Sequence, residues 1–189
     1  MMRAKTETVV MNLRGILPVL AAVLVVLTAG AKAQQSLGDL VAQGGYEWMM
    51  GRWTATTDEG DKMLLEYKWE LNKHLLSVHL KGPQYEYRGI IFYDAPKDQV
   101  VQVGVDGQGG NGKGMWEPMG EKALLKYEHT GSNWETNRMG LAHSKVNADT
   151  MKVEVYELNS SGETSNEPGG TLEFKRVKEK PAEKTKSKA

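Results

Sequence analysis

Four histidines, His74, His79, His129 and His143, are the side chains here best suited to hold a metal, ligate haem or pass a proton, and their spacing limits what they can do together. None stands two or four residues from another, so no strand face or helix turn presents a pair to one ion. His74 and His79 differ in parity and would face opposite sides of a continuous strand. His129 shares parity with Leu125 and Tyr127 and is expected inside. One histidine can ligate haem axially, but a histidine satisfied within the fold is the plainer reading. No catalytic residue, no metal and no cofactor is expected; the weakest alternative is a barrel enzyme with His129 and a buried tyrosine as acid–base pair.

The run Asp106-Gly107-Gln108-Gly109-Gly110-Asn111-Gly112-Lys113-Gly114 keeps the spacing of a phosphate-binding loop as far as Lys113. Gly114 then stands where a serine or threonine should hold magnesium. Met115-Trp116-Glu117-Pro118 cannot open the helix whose N-terminal amides bind phosphate. Calcium wants six to eight oxygens and Asp106 is the only carboxylate in the run. A hairpin loop at a barrel mouth is the expectation. No Gly-x-Ser-x-Gly elbow occurs, and Glu66 and Glu70 fall on an outward face by parity.

The elements that must position these residues are strands. Met63, Leu65, Tyr67, Trp69 and Leu71 alternate with Leu64, Glu66, Lys68 and Glu70, which puts one face in a core and the other in water. Trp53-Thr54-Ala55-Thr56-Thr57 precedes them across the turn Asp58-Glu59-Gly60-Asp61, giving a hairpin. Further runs cover 74–81, 85–94, 100–106, 115–119, 123–129, 134–141 with an extension toward Val146, 151–158 and 171–177. The 115–119 run contains Pro118, which demotes it to an edge or bulge. Short links favour pairing in sequence order, and a long meander closes to hide its edges. The expected fold is therefore all-β, an antiparallel up-and-down barrel of about 8–10 strands spanning 53–177. A lead-in over 34–52 holds a short helix capped by Ser36 and stopped at Gly44-Gly45, with Tyr46, Trp48 and Met49 plugging one end.

Alternation also predicts the inward set: Met63, Leu65, Tyr67, Trp69 and Leu71, then Tyr85, Tyr87, Ile91 and Tyr93, then Val101, Val103 and Val105, then Leu125, Tyr127 and His129. Buried tyrosine hydroxyls need partners, and a barrel of this size either fills its interior or holds one small ligand. Tyr67, Trp69, Tyr87, Tyr93, Tyr127 and His129 are the ligand-binding candidates, and they suit a small hydrophobic or aromatic molecule.

The 189 residues carry 24 basic and 24 acidic side chains and no cysteine, which excludes disulfides, thiolate metal sites and a cysteine nucleophile. The neutrality is a cancellation. Residues 1–33 sum to +3, residues 34–174 hold 13 basic against 21 acidic side chains, and residues 175–189 sum to +5. The first segment reads as a cleaved signal peptide: Arg14, an apolar stretch from Ile16 to Leu27, and Ala31-Lys32-Ala33 as the cleavage site, with Met11 as an alternative start. The mature chain would begin at Gln34 and be periplasmic or secreted. Residues 178–189, rich in lysine, read as a disordered tail, with a weak contact to an anionic envelope as the alternative role in which the barrel is a scaffold. The acidic body argues against nucleic acid as partner, and a monomer is expected.

Gly51-Arg52-Trp53 at the start of the first strand resembles the Gly-x-Trp signature that opens lipocalin barrels, whose tryptophan is covered by an arginine after the last strand; Arg176 stands at that position. Leu71-Asn72-Lys73-His74-Leu75 and the Tyr87-Arg88-Gly89-Ile90-Ile91-Phe92-Tyr93-Asp94 strand are similar to a family of secreted bacterial proteins of unknown function with lipocalin-like (calycin-type) barrels. The resemblance implies a closed barrel with an internal cavity, with Gly51, Trp53 and Arg176 as structural signature. It implies no catalytic residues.

Overall fold

The computed structural model describes residues 35–178. The signal-peptide reading and nearly all of the lysine-rich tail lie outside these residues. A seven-residue helix α1 (Leu37–Gln43) opens the described chain. Ser36 caps it with a reciprocal pair of bonds: the Asp39 amide donates to Ser36 Oγ at 3.1 Å, and the Ser36 amide donates to the Asp39 carboxylate at 2.9 Å. Gly44 ends it.

Ten strands follow: β1 (Gly51–Thr56), β2 (Lys62–Glu70), β3 (Leu75–Lys81), β4 (Glu86–Asp94), β5 (Gln99–Asp106), β6 (Asn111–Met119), β7 (Lys122–Thr130), β8 (Thr136–Asn147), β9 (Thr150–Glu157) and β10 (Gly170–Arg176). Each pairs antiparallel with its neighbours in sequence, and β10 closes on β1 through Trp53↔Arg176 and Thr54↔Lys175. Closure removes every unpaired edge, so ten short strands stand with no template left for aggregation. One end carries α1 and the links β2–β3, β4–β5, β6–β7 and β8–β9. The other carries the links β1–β2, β3–β4, β5–β6, β7–β8 and β9–β10.

Several expectations change. Leu71 is 71% exposed, not inward: Leu71, Asn72 and Lys73 all have positive φ, so a left-handed turn ends the alternation of β2 at Glu70. Val101, Val103 and Val105 face outward, with Val105 57% exposed, and Val100, Gln102 and Gly104 take the inner positions opposite Tyr93, Ile91 and Gly89. The inward choice is made by hydrogen bonding and by space, and not by apolarity. The glycine-rich run is only partly loop: the turn covers 107–110, and Asn111, Gly112, Lys113 and Gly114 begin β6, making it a nine-residue strand between β5 and β7 rather than an edge. Pro118 is tolerated because the β5–β6 ladder ends at Val100↔Trp116. Trp134 sits in the β7–β8 turn at φ +67 and is 87% exposed, so β8 starts two residues later than its apolar run suggests.

Candidate functional site

Two features divide the interior: a strap that closes the helix-bearing end, and a belt of polar side chains across the middle. The strap is built on Trp53, 0% exposed, whose indole N–H donates to Met49 O at 2.8 Å. The Arg176 guanidinium lies over the Trp53 ring, 4.0 Å from its centroid. Its Nη1 donates to Met50 O and its Nη2 to Trp48 O, each at 2.7 Å, and Nε donates to Ala148 O at 3.1 Å. One planar fork thus ties the segment before β1 to the β8–β9 link. Gly51 is required beneath it: φ is +108°, and a Cβ there would lie 3.1 Å from Arg176 Nη1. Met49 is buried under this strap with Tyr46 and Trp48 packed beside it, and α1 roofs a small apolar cavity of about 140 Å³ reaching down to Tyr67.

The belt begins at Tyr67, whose hydroxyl is 3.0 Å from His143 Nε2, while His143 Nδ1 is 3.0 Å from Leu141 O. A carbonyl only accepts, so Nδ1 carries the proton and Nε2 accepts from Tyr67. Burial pushes the His143 pKa down to about 4, although the bonds to Leu141 and Ala123 carbonyls oppose it. Burial, with a smaller contribution from Tyr87, raises that of Tyr67. Both stay neutral at neutral pH. Beyond them Tyr127 Oη donates to Tyr87 Oη at 3.0 Å, Gln102 Nε2 donates to Tyr87 Oη at 3.2 Å, and Trp116 Nε1 donates to Gln102 Oε1 at 3.1 Å. The Tyr87 and Tyr127 rings meet edge to face at 6.0 Å.

A row of glycines makes room for these rings. Gly89 pairs with Gly104 and Gly104 with Gly112 across three adjacent strands. A Cβ at Gly89 or Gly104 would collide with the Tyr87 hydroxyl, and one at Gly112 with that of Tyr127. Inward glycine and inward Gln102 therefore belong together: the first admits the tyrosines and the second gives a hydroxyl its partner. Gly104→Ala is expected to destabilise the fold by about 2 kcal/mol, the usual cost of overpacking a filled site, and to alter the near-ultraviolet circular dichroism of the tyrosines. Urea unfolding of the variant checks it, and an unchanged midpoint would mean that the rings have room to spare.

Between the belt and the far end lies a cavity of about 500 Å³. Tyr67, Tyr87, Tyr127 and His129 line it, with Gln102 and His143, and the rest of its wall is aliphatic, methionine, Tyr85 or Phe174. No lysine, arginine or carboxylate stands among these lining residues. The rim side chains Met63, Tyr85, Met139 and Leu172 are partly exposed, so solvent reaches that end. The other two candidates lie elsewhere. Trp69 packs near the strap end with the Lys73 ammonium 5.9 Å over its ring, and Tyr93 donates to the Asp98 carboxylate at 2.7 Å.

His129 is held by Asp106, its Nε2 2.7 Å from Oδ2, and not by a tyrosine. Burial disfavours the Asp106 carboxylate, but donors from the Gln108 and Gly110 amides and from His129 outweigh that and hold its pKa below the usual carboxylate range. The histidine–tyrosine pair of the interior is instead His143–Tyr67, and with both groups held neutral neither is poised to exchange a proton near pH 7. His143, 2% exposed, was missed as an interior residue, although it shares parity with Met139 and Leu141. A haem iron would have to take Nε2 of His143 or His129 away from a bond already made. His79 bonds Glu86 at 2.8 Å on the outer wall.

Fold and interior define a ten-stranded closed antiparallel barrel, consistent with a calycin-like architecture, with one end strapped shut and a cavity in the other half. No family model matches the chain, and no curated protein matches it.

Proposed function

We propose that the protein is exported and carries a small apolar or aromatic molecule in the half of the barrel opposite the strap. The observation that carries this reading is the cavity of about 500 Å³ with an almost wholly apolar wall. That size falls within the roughly 300–1,000 Å³ of small-molecule pockets. The strap supports the likeness to lipocalin-like barrels, since Gly51, Trp53 and Arg176 meet as that family's signature does.

Native mass spectrometry of protein purified from the cells that make it tests the reading. A co-purifying small-molecule mass is expected. Leu172 stands at the rim and faces inward, so Leu172→Trp should narrow the mouth, lower affinity for apolar probes at least about tenfold, and leave stability within about 1 kcal/mol because the added ring enters empty space. Affinity retained in that variant would place the ligand elsewhere. For export, the extracytoplasmic protein should begin at Gln34 by N-terminal sequencing; a product keeping residues 1–33 would contradict it.

A further inference from the structure

Two donor protons of the belt, one on a tyrosine hydroxyl and one on the Gln102 amide, are not used in the hydrogen bonds among the described residues. Tyr87 and Tyr127 bring two hydroxyl protons to one bond of 3.0 Å. Tyr87 Oη also accepts from Gln102 Nε2 at 3.2 Å, so its two lone pairs are used. Whichever tyrosine donates to the other, one hydroxyl proton remains, and no acceptor among the described residues takes it. Trp116 donates to Gln102 Oε1 at 3.1 Å, which fixes the amide with Nε2 toward Tyr87, and the second proton on Nε2 is likewise left over. These donors stand in the wall of the large cavity, on side chains that are at most 7% exposed. A buried donor without an acceptor is costly, and a molecule that supplies one recovers that cost.

We propose that Tyr87, Tyr127 and Gln102 form the recognition point for a neutral carbonyl oxygen on an otherwise apolar ligand, the hydroxyl and the amide both donating to it. This deepens the reading of the barrel as a binding protein and rests on it. Charge selects the neutral carbonyl over a carboxylate. No lysine or arginine lines the cavity, and of its two histidines His143 already accepts from Tyr67 and His129 is already bonded to the Asp106 carboxylate, which two amides also hold. An anion would be stripped of water with no uncommitted cation to meet it. The row Gly89, Gly104 and Gly112 keeps the hydroxyls at this wall.

Displacement of the neutral probe N-phenyl-1-naphthylamine by three naphthalenes of one shape tests the proposal: 2-acetylnaphthalene, 2-ethylnaphthalene and 2-naphthoate. The native protein should bind the ketone more tightly than the carboxylate. Tyr87→Phe combined with Tyr127→Phe keeps both rings and should weaken the ketone by about tenfold, the value of one hydrogen bond, while changing the hydrocarbon less than about twofold. Equal losses for ketone and hydrocarbon, or a carboxylate bound more tightly than the ketone, would overturn the proposal and leave the cavity reading standing. If none of the three competes and the probe itself does not bind, both fail. A measurement on the native protein needs no variant: the carbonyl stretch of bound 2-acetylnaphthalene should lie at lower wavenumber than in hexane, and a hexane-like value overturns the assignment.

Discussion

Arg176→Met should destabilise the barrel by about 3 kcal/mol, and Arg176→Lys should recover less than half of that. The guanidinium makes three bonds to main-chain carbonyls, of Trp48, Met50 and Ala148, and stacks on Trp53. Hydrogen bonds from a charged donor contribute about 1.5–3 kcal/mol each when well buried, and a cation over an indole adds about 1 kcal/mol. Arg176 is partly exposed and water replaces some of these contacts when the guanidinium is lost, which brings the net cost well below the roughly 5 kcal/mol that even the lower values would sum to. A lysine ammonium keeps the charge but cannot reach three carbonyls in one plane. The loss should be local before it is global: amides of residues 46–50 should exchange faster with solvent, because the fork is what ties them to β10. Denaturant unfolding with hydrogen exchange checks both. A Met variant within about 0.5 kcal/mol of the native protein would mean that the strap is ornamental and that Trp53 holds the end alone.

The second large effect concerns pH. The His143 pKa is about 4 in the folded protein against 6.5 for a free imidazole. Between those values the unfolded chain takes up a proton that the folded one refuses, so stability is complete above about pH 6.5 and falls as pH drops toward 4. At about 1.4 kcal/mol per pKa unit, the loss attributable to this one side chain is about 3 kcal/mol. Asp106 and Glu154, both with pKa held low, the latter by bonds from Lys122 and Lys152, act in the same direction only at still lower pH. His143→Phe keeps a ring against Trp116, which lies 5.0 Å away, but leaves the Tyr67 hydroxyl without its acceptor. That variant should be less stable at pH 7.5 and lose less stability between pH 6.5 and 4.5 than the native protein. Urea midpoints across that range decide it, and parallel curves would show that His143 is not the titrating group.

The strands and their order were legible because β2, β7 and the turns around them follow simple rules. Alternation of apolar and polar residues marks a wall with one wet face, and Gly, Pro and Asp clusters mark its corners. The cap at Ser36 was legible for the same reason, since the sequence offers the bond that the helix start needs. β5 broke the rule. Its valines face out and Gln102 and Gly104 face in, because the interior here is shaped by two tyrosines that need a partner and clearance. Apolarity therefore pointed the wrong way. The signal was present in Gly89, Gly104, Gly112 and Gly114, glycines inside strands, which mark close approach of another group; the phosphate-loop spacing drew attention to the wrong property of the run. β8 hid His143 for a different reason. Its outer face is also covered, with Ala142 buried in a small cluster with Leu124 and Tyr156, so apolar residues on both faces blur the alternation that would have placed the histidine. Trp69 and Tyr93 share inward parity with Tyr67 and Tyr87, but they lie near the strap end, beyond the belt, and parity carries no information about depth.

Saturation of the interior by N-phenyl-1-naphthylamine is the most direct test that this barrel is a container. Fluorescence should rise to a plateau at one probe per chain in the native protein and should rise little in Leu172→Trp at the same concentrations. A signal that grows without saturating, or one equally strong in the variant, would show that the cavity takes up no ligand.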